Sequence, residues 1–99
     1  MEVEQFEWKE FKMEKLHEQI QAGCVSIGFR KGNLTVRIHG RPGEVEGRPQ
    51  HWKIFAVFCE DGKPDRTMSR ILAPDQVTLE LERSVNTARS MMASRPEPS

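Results

Sequence analysis

Apart from its carboxylates, the sequence contains few residues of the kinds that most often carry catalysis or bind a metal: three histidines and two cysteines. Glu14 and His17 form an E-x-x-H step, with Glu10 one helical turn earlier. Carboxylate-bridged metal proteins use this spacing, but they need two copies and further glutamates. His39 and His51 supply only two imidazoles, whereas zinc takes four ligands or three with a water. We therefore expect no metal site, and a solvated helix face around Glu14.

The two cysteines, Cys24 and Cys59, lack the features of a nucleophile or a structural zinc site. No C-x-x-C pattern accompanies them, and Cys59 lies in an apolar run that would raise the pKa of its thiol. Phosphate-binding glycine motifs and the G-x-S-x-G elbow are absent from the sequence. We expect a non-enzymatic protein without a cofactor, whose thiols are reduced and buried. A small enzyme with a His/Glu site is a third alternative.

The charges balance in total but are unevenly distributed. The chain has 15 basic and 15 acidic residues, yet residues 29–53 carry six Lys or Arg against two Glu. Strand alternation would turn Arg37 and His39 outward, and Lys53 could join them from a neighbouring strand. A basic sheet face beside an aromatic ring can hold single-stranded nucleic acid through phosphate contacts and base stacking. An ordinary solvated face is the alternative, which the zero net charge favours. The candidate nucleic-acid-binding residues are Arg30, Lys31, Arg37, His39 and Lys53.

A Gly-Arg-Pro step occurs twice in residues 40–50, at Arg41 and at Arg48, with Val45 between the copies. Three glycines, two prolines and no apolar period predict a loop. Each proline biases the arginine before it toward extended geometry, and a rigid loop loses little entropy on docking. We expect a recognition loop for a protein partner, with a plain strand connection as the alternative. Apolar residues of the terminal helices would complete the partner-binding surface: Trp8, Phe11, Met91 and Met92.

The remaining patterns predict an α+β fold. Residues 4–23 fit a helix that ends at Gly23, although residues 3–8 could instead form an extended arm. Residues 24–39 alternate as a hairpin, residues 51–60 are apolar on both faces as in a central strand, and residues 66–72 fit a fourth strand. Residues 73–94 repeat apolar side chains at helical spacing. These elements predict a small antiparallel sheet of three to four strands, a meander, with an N-terminal and a C-terminal helix on one face.

The length of 99 residues fits one domain, residues 1–94, followed by a flexible tail at residues 95–99. No membrane-spanning run or signal-peptide pattern occurs, and we expect a reducing, cytoplasmic location. In general character (short, free of motifs, charge-segregated) the chain resembles the accessory and inhibitor proteins that bacteriophages and mobile elements encode against host enzymes, often nucleic-acid enzymes. We therefore expect a small protein-binding module that modulates or inhibits a larger partner. Single-stranded nucleic-acid binding is the alternative, and a second copy could cover the doubly apolar strand in a homodimer.

Overall fold

The computed structural model describes residues 4–45 and 47–95, with the backbone alone for residues 44, 45, 48 and 49. A 3-10 turn, Pro74–Gln76, precedes the last helix. The elements follow the chain in the order β1 (Glu4–Phe6), α1 (Met13–Ala22), β2 (Val25–Lys31), β3 (Leu34–Val45), β4 (Arg48–Glu60), β5 (Arg66–Leu72) and α2 (Val77–Ser94). The chain has the α+β fold that the sequence predicts.

The five strands form one sheet in the order β1-β2-β3-β4-β5. Strands β2 to β5 make an antiparallel meander of four strands, as predicted. The doubly apolar β4 lies between β3 and β5, which is the interior position expected for it. Strand β1 corrects the prediction of a purely antiparallel sheet, because it pairs parallel to β2, with Glu4 opposite Ile27 and Phe6 opposite Phe29.

The predicted loop at residues 40–50 is wrong, because residues 40–45 continue β3 and residues 48–50 begin β4, which extends the hairpin. Pro42 pairs with Trp52 of β4, and Gly40 pairs with Val25, the first residue of β2. Backbone groups alternate in direction along a strand, so the N–H that Pro42 lacks would point past the end of β2, where no described strand could accept it. The proline therefore costs the sheet no hydrogen bond.

Helix α1 is shorter than predicted, because it begins only at Met13. The extended alternative holds for the residues of β1, which reach the sheet. Gly23 ends the helix as expected: its φ is 80°, and its N–H donates to the Ile20 carbonyl at 3.0 Å. Phe11 lies before the helix and packs edge-on against Phe29 of β2, with ring centroids 5.2 Å apart. The segment before α1 thus contributes a core aromatic without being helical.

Helix α2 packs as its periodicity predicts. Its buried side chains are Val77, Leu81, Val85, Ala88 and Met92. They join alternate residues of the strands, such as Ile27 and Ile38, in one hydrophobic cluster on one face of the sheet.

No described helix lies on the opposite face of the sheet, which we call the open face. Its residues are Gln5 of β1, Ser26, Gly28 and Arg30 of β2, Thr35, Arg37, His39, Arg41 and Gly43 of β3, His51, Lys53, Phe55, Val57 and Cys59 of β4, and Thr67, Ser69 and Ile71 of β5.

Arg95, the first residue of the predicted tail, is anchored to the sheet. Its guanidinium forms a bidentate pair with the Glu60 carboxylate of β4, with Nη2 3.1 Å from Oε1. Its carbonyl accepts a hydrogen bond from Lys31 Nζ at 2.7 Å. The hydrogen bond from Arg95, with its charge, lowers the pKa of Glu60 to about 2. The rest of the predicted tail, residues 96–99, lies outside the described residues.

Candidate nucleic-acid interface

The register of the strands places an aromatic pair at the centre of the open face. Ser26 of β2, His39 of β3 and Phe55 of β4 lie side by side in one row. Arg37 and Arg41 come two residues before and after His39 on the same face of β3, each about 6.8 Å away along the strand. The ring pair therefore lies between two guanidinium groups.

His39 and Phe55 are stacked, with ring centroids 4.8 Å apart and an interplanar angle of 24°. Phe55 remains 39% exposed, although it is a large apolar side chain on an interior strand. Ser26 Oγ and His39 Nδ1 are hydrogen-bonded at 3.3 Å, which fixes the imidazole orientation. Burial, and secondarily the charge of Arg37, lower the pKa of His39 below its usual 6.5. The imidazole is therefore neutral at physiological pH and extends the apolar surface of Phe55.

Four exposed cations lie on the same face as the stacked rings: Arg30, Arg37, Arg41 and Lys53. None of the four forms an ion pair with a described carboxylate. Arg41 and Lys53 are directly opposite each other on β3 and β4, where like charges repel. No Asp or Glu occupies any of the open-face positions defined above. The face thus concentrates positive charge that an anionic ligand would neutralise.

One predicted nucleic-acid-binding residue, Lys31, lies on the opposite side of the sheet. Its Nζ donates to the carbonyls of Met92 and Arg95 at 2.8 and 2.7 Å, and it lies 5.0 Å from the centre of a Trp8 ring. Lys31 thus holds the end of α2 against the sheet, and its assignment to the basic face is wrong. Its neighbour Arg30 points the other way by strand alternation and does belong to the open face.

The described residues predicted to bind a protein partner do not form one exposed surface. Phe11 and Met92 are 6% and 0% exposed and belong to the core, so neither is an exposed contact. Trp8 and Met91 are half-buried, and Trp8 packs against the core. Arg41 is exposed, but as a strand residue of the open face rather than in a loop. The side chains of Val45 and Arg48 lie outside the described residues.

The residues considered for catalysis or metal binding are also separate. His17 Nε2 lies 3.0 Å from Glu82 Oε2 of α2, so this histidine joins the two helices. Among the described residues, no group of three or more His, Cys, Asp or Glu could hold a metal ion. Cys24 and Cys59 form no disulfide and are half-buried rather than buried. Burial, followed by the charge of Asp65, raises the pKa of the Cys59 thiol, which lowers its reactivity.

Phe55 is the main open-face residue that the sequence analysis did not single out. Alternation in residues 51–60 divides the side chains into two sets, one with Phe55, Val57 and Cys59 and the other with Trp52, Ile54, Ala56 and Phe58. Both sets are apolar, so alternation does not tell which of them faces the core. The position of Phe55 could be inferred only from its pairing partner. His39 is outward by alternation, and Phe55 lies opposite His39 once the register of the hairpin is known. With residues 40–50 predicted as a loop, that register was undetermined.

Comparison with known proteins adds no relative: no protein-family model, no curated protein and no solved structure matches the chain. Within the part of the chain that the structure describes, no helix is long and apolar enough to cross a membrane.

Proposed function

We propose that this protein is a binding module rather than an enzyme, and that its open face binds single-stranded nucleic acid. The observation that carries the proposal is the stacked His39–Phe55 pair, on a face that carries four cations and no Asp or Glu at the strand positions defined above. Of the described carboxylates, that of Asp65 contacts this face, where it interacts with Cys59. Of the two binding functions expected from the sequence, this one has four of its five candidate residues on a single face, all except Lys31. This proposal reverses the preference drawn from the sequence, in which protein binding ranked above nucleic-acid binding.

The geometry suits an unpaired strand better than a duplex. The sheet is broad and offers aromatic surface, on which the bases of a single strand can stack regardless of sequence. The exposed part of Phe55 supplies that surface. Arg37 and Arg41 lie on either side of it and can contact the phosphates that precede and follow a stacked base. Stacking would supply affinity, and the cations would align the backbone across β3.

The neutral net charge of the chain is compatible with this role because the charges are segregated. Acidic residues of the strands, such as Glu4 and Glu60, fall on the helix-covered side. At the strand positions of the open face defined above, the charged side chains that nucleic-acid phosphates meet are therefore positive. With four cations, the binding should be moderate and should weaken as salt rises.

The test is binding of labelled single-stranded DNA and RNA, about 15 nucleotides long, measured by fluorescence anisotropy in low salt. Phe55→Ala should weaken binding by about 1–3 kcal/mol, the cost of losing one stacked base. Met68→Ala is the matched control, because Met68 is exposed on the other face of the neighbouring strand. Equal loss in both variants, or no binding by the parent protein, would contradict the proposal.

A second candidate function is the one preferred from the sequence, a module that binds and modulates a larger protein. Some residues of the protein-binding surface expected from the sequence are buried in the core, but strand β5 offers another exposed surface. Residues 66–71 are all exposed, including Met68 at 60% and Ile71 at 44%. Such exposed apolar side chains on an outer strand favour a protein contact at that edge.

A further inference from the structure

The helices leave part of the sheet uncovered on their own side. A groove of about 310 Å³ runs between α2 and β5. Ala56 and Phe58 of β4 form part of its floor, and Met68 of β5 lies along its outer side. Arg83 and Thr87 of α2, one helical turn apart, line the inner side. The groove is apolar at its base, and it is bounded on one side by the outermost strand.

The outer edge of β5 has backbone N–H and C=O groups that form no hydrogen bonds with a described strand. Lys31 and Leu34 close a two-residue hairpin turn and are therefore a hydrogen-bonded pair. Following the alternation across β3 and β4, Met68 directs its N–H and C=O toward β4. Thr67, Ser69 and Ile71 must then direct theirs away from the sheet. An extended segment could pair with these three residues without disturbing β4.

The side chains beside this edge are basic around one apolar centre. Arg66 and Arg70 lie two residues before and after Met68, on the groove side of β5. Arg70 Nη1 donates to Glu80 Oε2 at 2.7 Å, and Arg83 Nη1 donates to Glu80 Oε1 at 3.1 Å. One carboxylate thus serves two guanidinium groups, while Arg66 lies 5.8 Å from the centre of the Phe58 ring. The groove therefore carries excess positive charge.

We propose that β5 and the adjacent groove bind an extended acidic segment of a protein partner, which adds to the sheet as a sixth strand. The segment carries an apolar residue opposite Met68 and acidic residues two positions before and after it. These acidic residues pair with Arg66 and Arg70, and the apolar residue covers Met68 and the groove rim. This site goes beyond the nucleic-acid function, since it lies on β5 and on the opposite face of the sheet.

A second copy of this chain is a poorer occupant of this edge in the register that centres on Met68. Two β5 strands related by a two-fold axis at Met68 would run antiparallel and place Arg66 of one opposite Arg70 of the other. Like charges directly opposite each other in a strand pair are destabilising. The charge pattern therefore favours an acidic partner over self-pairing in that register, and the oligomeric state of the free protein tests the other registers.

The experiment uses the full chain and a synthetic peptide with the sequence acetyl-Thr-Thr-Glu-Thr-Leu-Thr-Glu-Thr-Thr-amide. We expect binding by anisotropy, with slower amide hydrogen exchange at Thr67, Ser69 and Ile71. Ser69→Pro removes an outward N–H but none that pairs with β4, and it should weaken binding about tenfold. N-methylation of the two threonines beside the peptide leucine should have a similar effect. The melting temperature of Ser69→Pro verifies that the variant folds.

Charge and apolar contacts are tested by two further comparisons. Arg66→Glu should weaken binding of the glutamate peptide. In antiparallel pairing the second glutamate of the peptide faces residue 66, so a peptide with lysine at that position should restore binding to the Arg66→Glu variant. Met68→Ala should weaken binding several-fold, whereas Leu79→Ala, on an exposed α2 residue outside the groove, should not.

Three results would overturn the proposal. The first is failure of the parent protein to bind the glutamate peptide. The second is binding that Ser69→Pro and N-methylation leave unchanged, since an occupant such as a helix would need the groove but not the edge. The third is sedimentation of the free protein as a dimer that Ser69→Pro dissociates, which would identify a second copy as the occupant. None of these results bears on binding of single strands by the open face.

Discussion

The salt dependence of nucleic-acid binding should report the number of cations on the open face. Each phosphate neutralised on a single strand contributes a slope of about −0.7 to log K against log salt. With Arg30, Arg37, Arg41 and Lys53 all engaged, the expected slope is about −2.8. Affinity should then fall about 50-fold between about 50 and about 200 mM salt.

Removing one cation should change that slope by a defined amount. Arg37→Gln should bring it to about −2.1, so that the same change in salt weakens binding only about 18-fold. Phe55→Ala should reduce affinity at every salt concentration while leaving the slope unchanged, because stacking releases no counterions. Arg83→Gln, on the helix side, is the control and should alter neither quantity.

The assay is a salt titration of anisotropy with a labelled oligonucleotide of about 15 nucleotides. It should be made near pH 8, because removing Arg37 relieves part of the effect that lowers the pKa of His39. At that pH, His39 is neutral in both proteins and adds no charge. A parent slope shallower than about −1, or a slope that Arg37→Gln leaves unchanged, would refute the assignment of the open face.

Further predictions concern stability and reactivity. Leu81→Ala, at a fully buried position of α2, should destabilise the fold by about 2–5 kcal/mol in urea unfolding, while Leu79→Ala, 53% exposed, should change it by no more than about 0.5 kcal/mol. The low pKa of Glu60 stabilises the folded state fully above about pH 4.5, and this contribution is lost as pH falls toward about 2. Arg95→Gln should remove that part of the acid dependence in unfolding curves measured between these pH values, and an unchanged pH profile would show that the pair is unimportant. The raised pKa of Cys59 should make it slow to react with a thiol reagent at neutral pH, and rapid labelling of the native protein would contradict this.

The elements with strong periodicity could be predicted from the sequence. Helix α2 follows a spacing that only a helix satisfies over its length, and all five residues of that spacing are buried. The outward positions of Arg37 and His39 followed from alternation with Val36 and Ile38, whose apolar side chains had to face the core. Local pattern was sufficient in both cases.

Other elements depended on contacts that a local pattern does not contain. Residues 40–50 have the composition of a loop, yet Pro42 is tolerated because β2 has already ended beside it. Strand β1 is only three residues long, and Phe6 matches the helical spacing of the apolar residues in α1, so this segment was predicted as part of the helix. Phe55 and His39 became neighbours only through the register of the long hairpin. These features are set by pairing between segments distant in the chain.

Binding of single strands by the open face is tested most directly by mapping the residues that a single-stranded oligonucleotide perturbs. Backbone amide chemical shifts should be followed by NMR as the oligonucleotide is added to the parent protein in low salt. The open-face account predicts that the largest changes cluster at Arg37, His39, Arg41, Lys53 and Phe55, with little change along α1 and α2. Changes concentrated on the helices or on the groove beside Met68, or no changes at all, would contradict it.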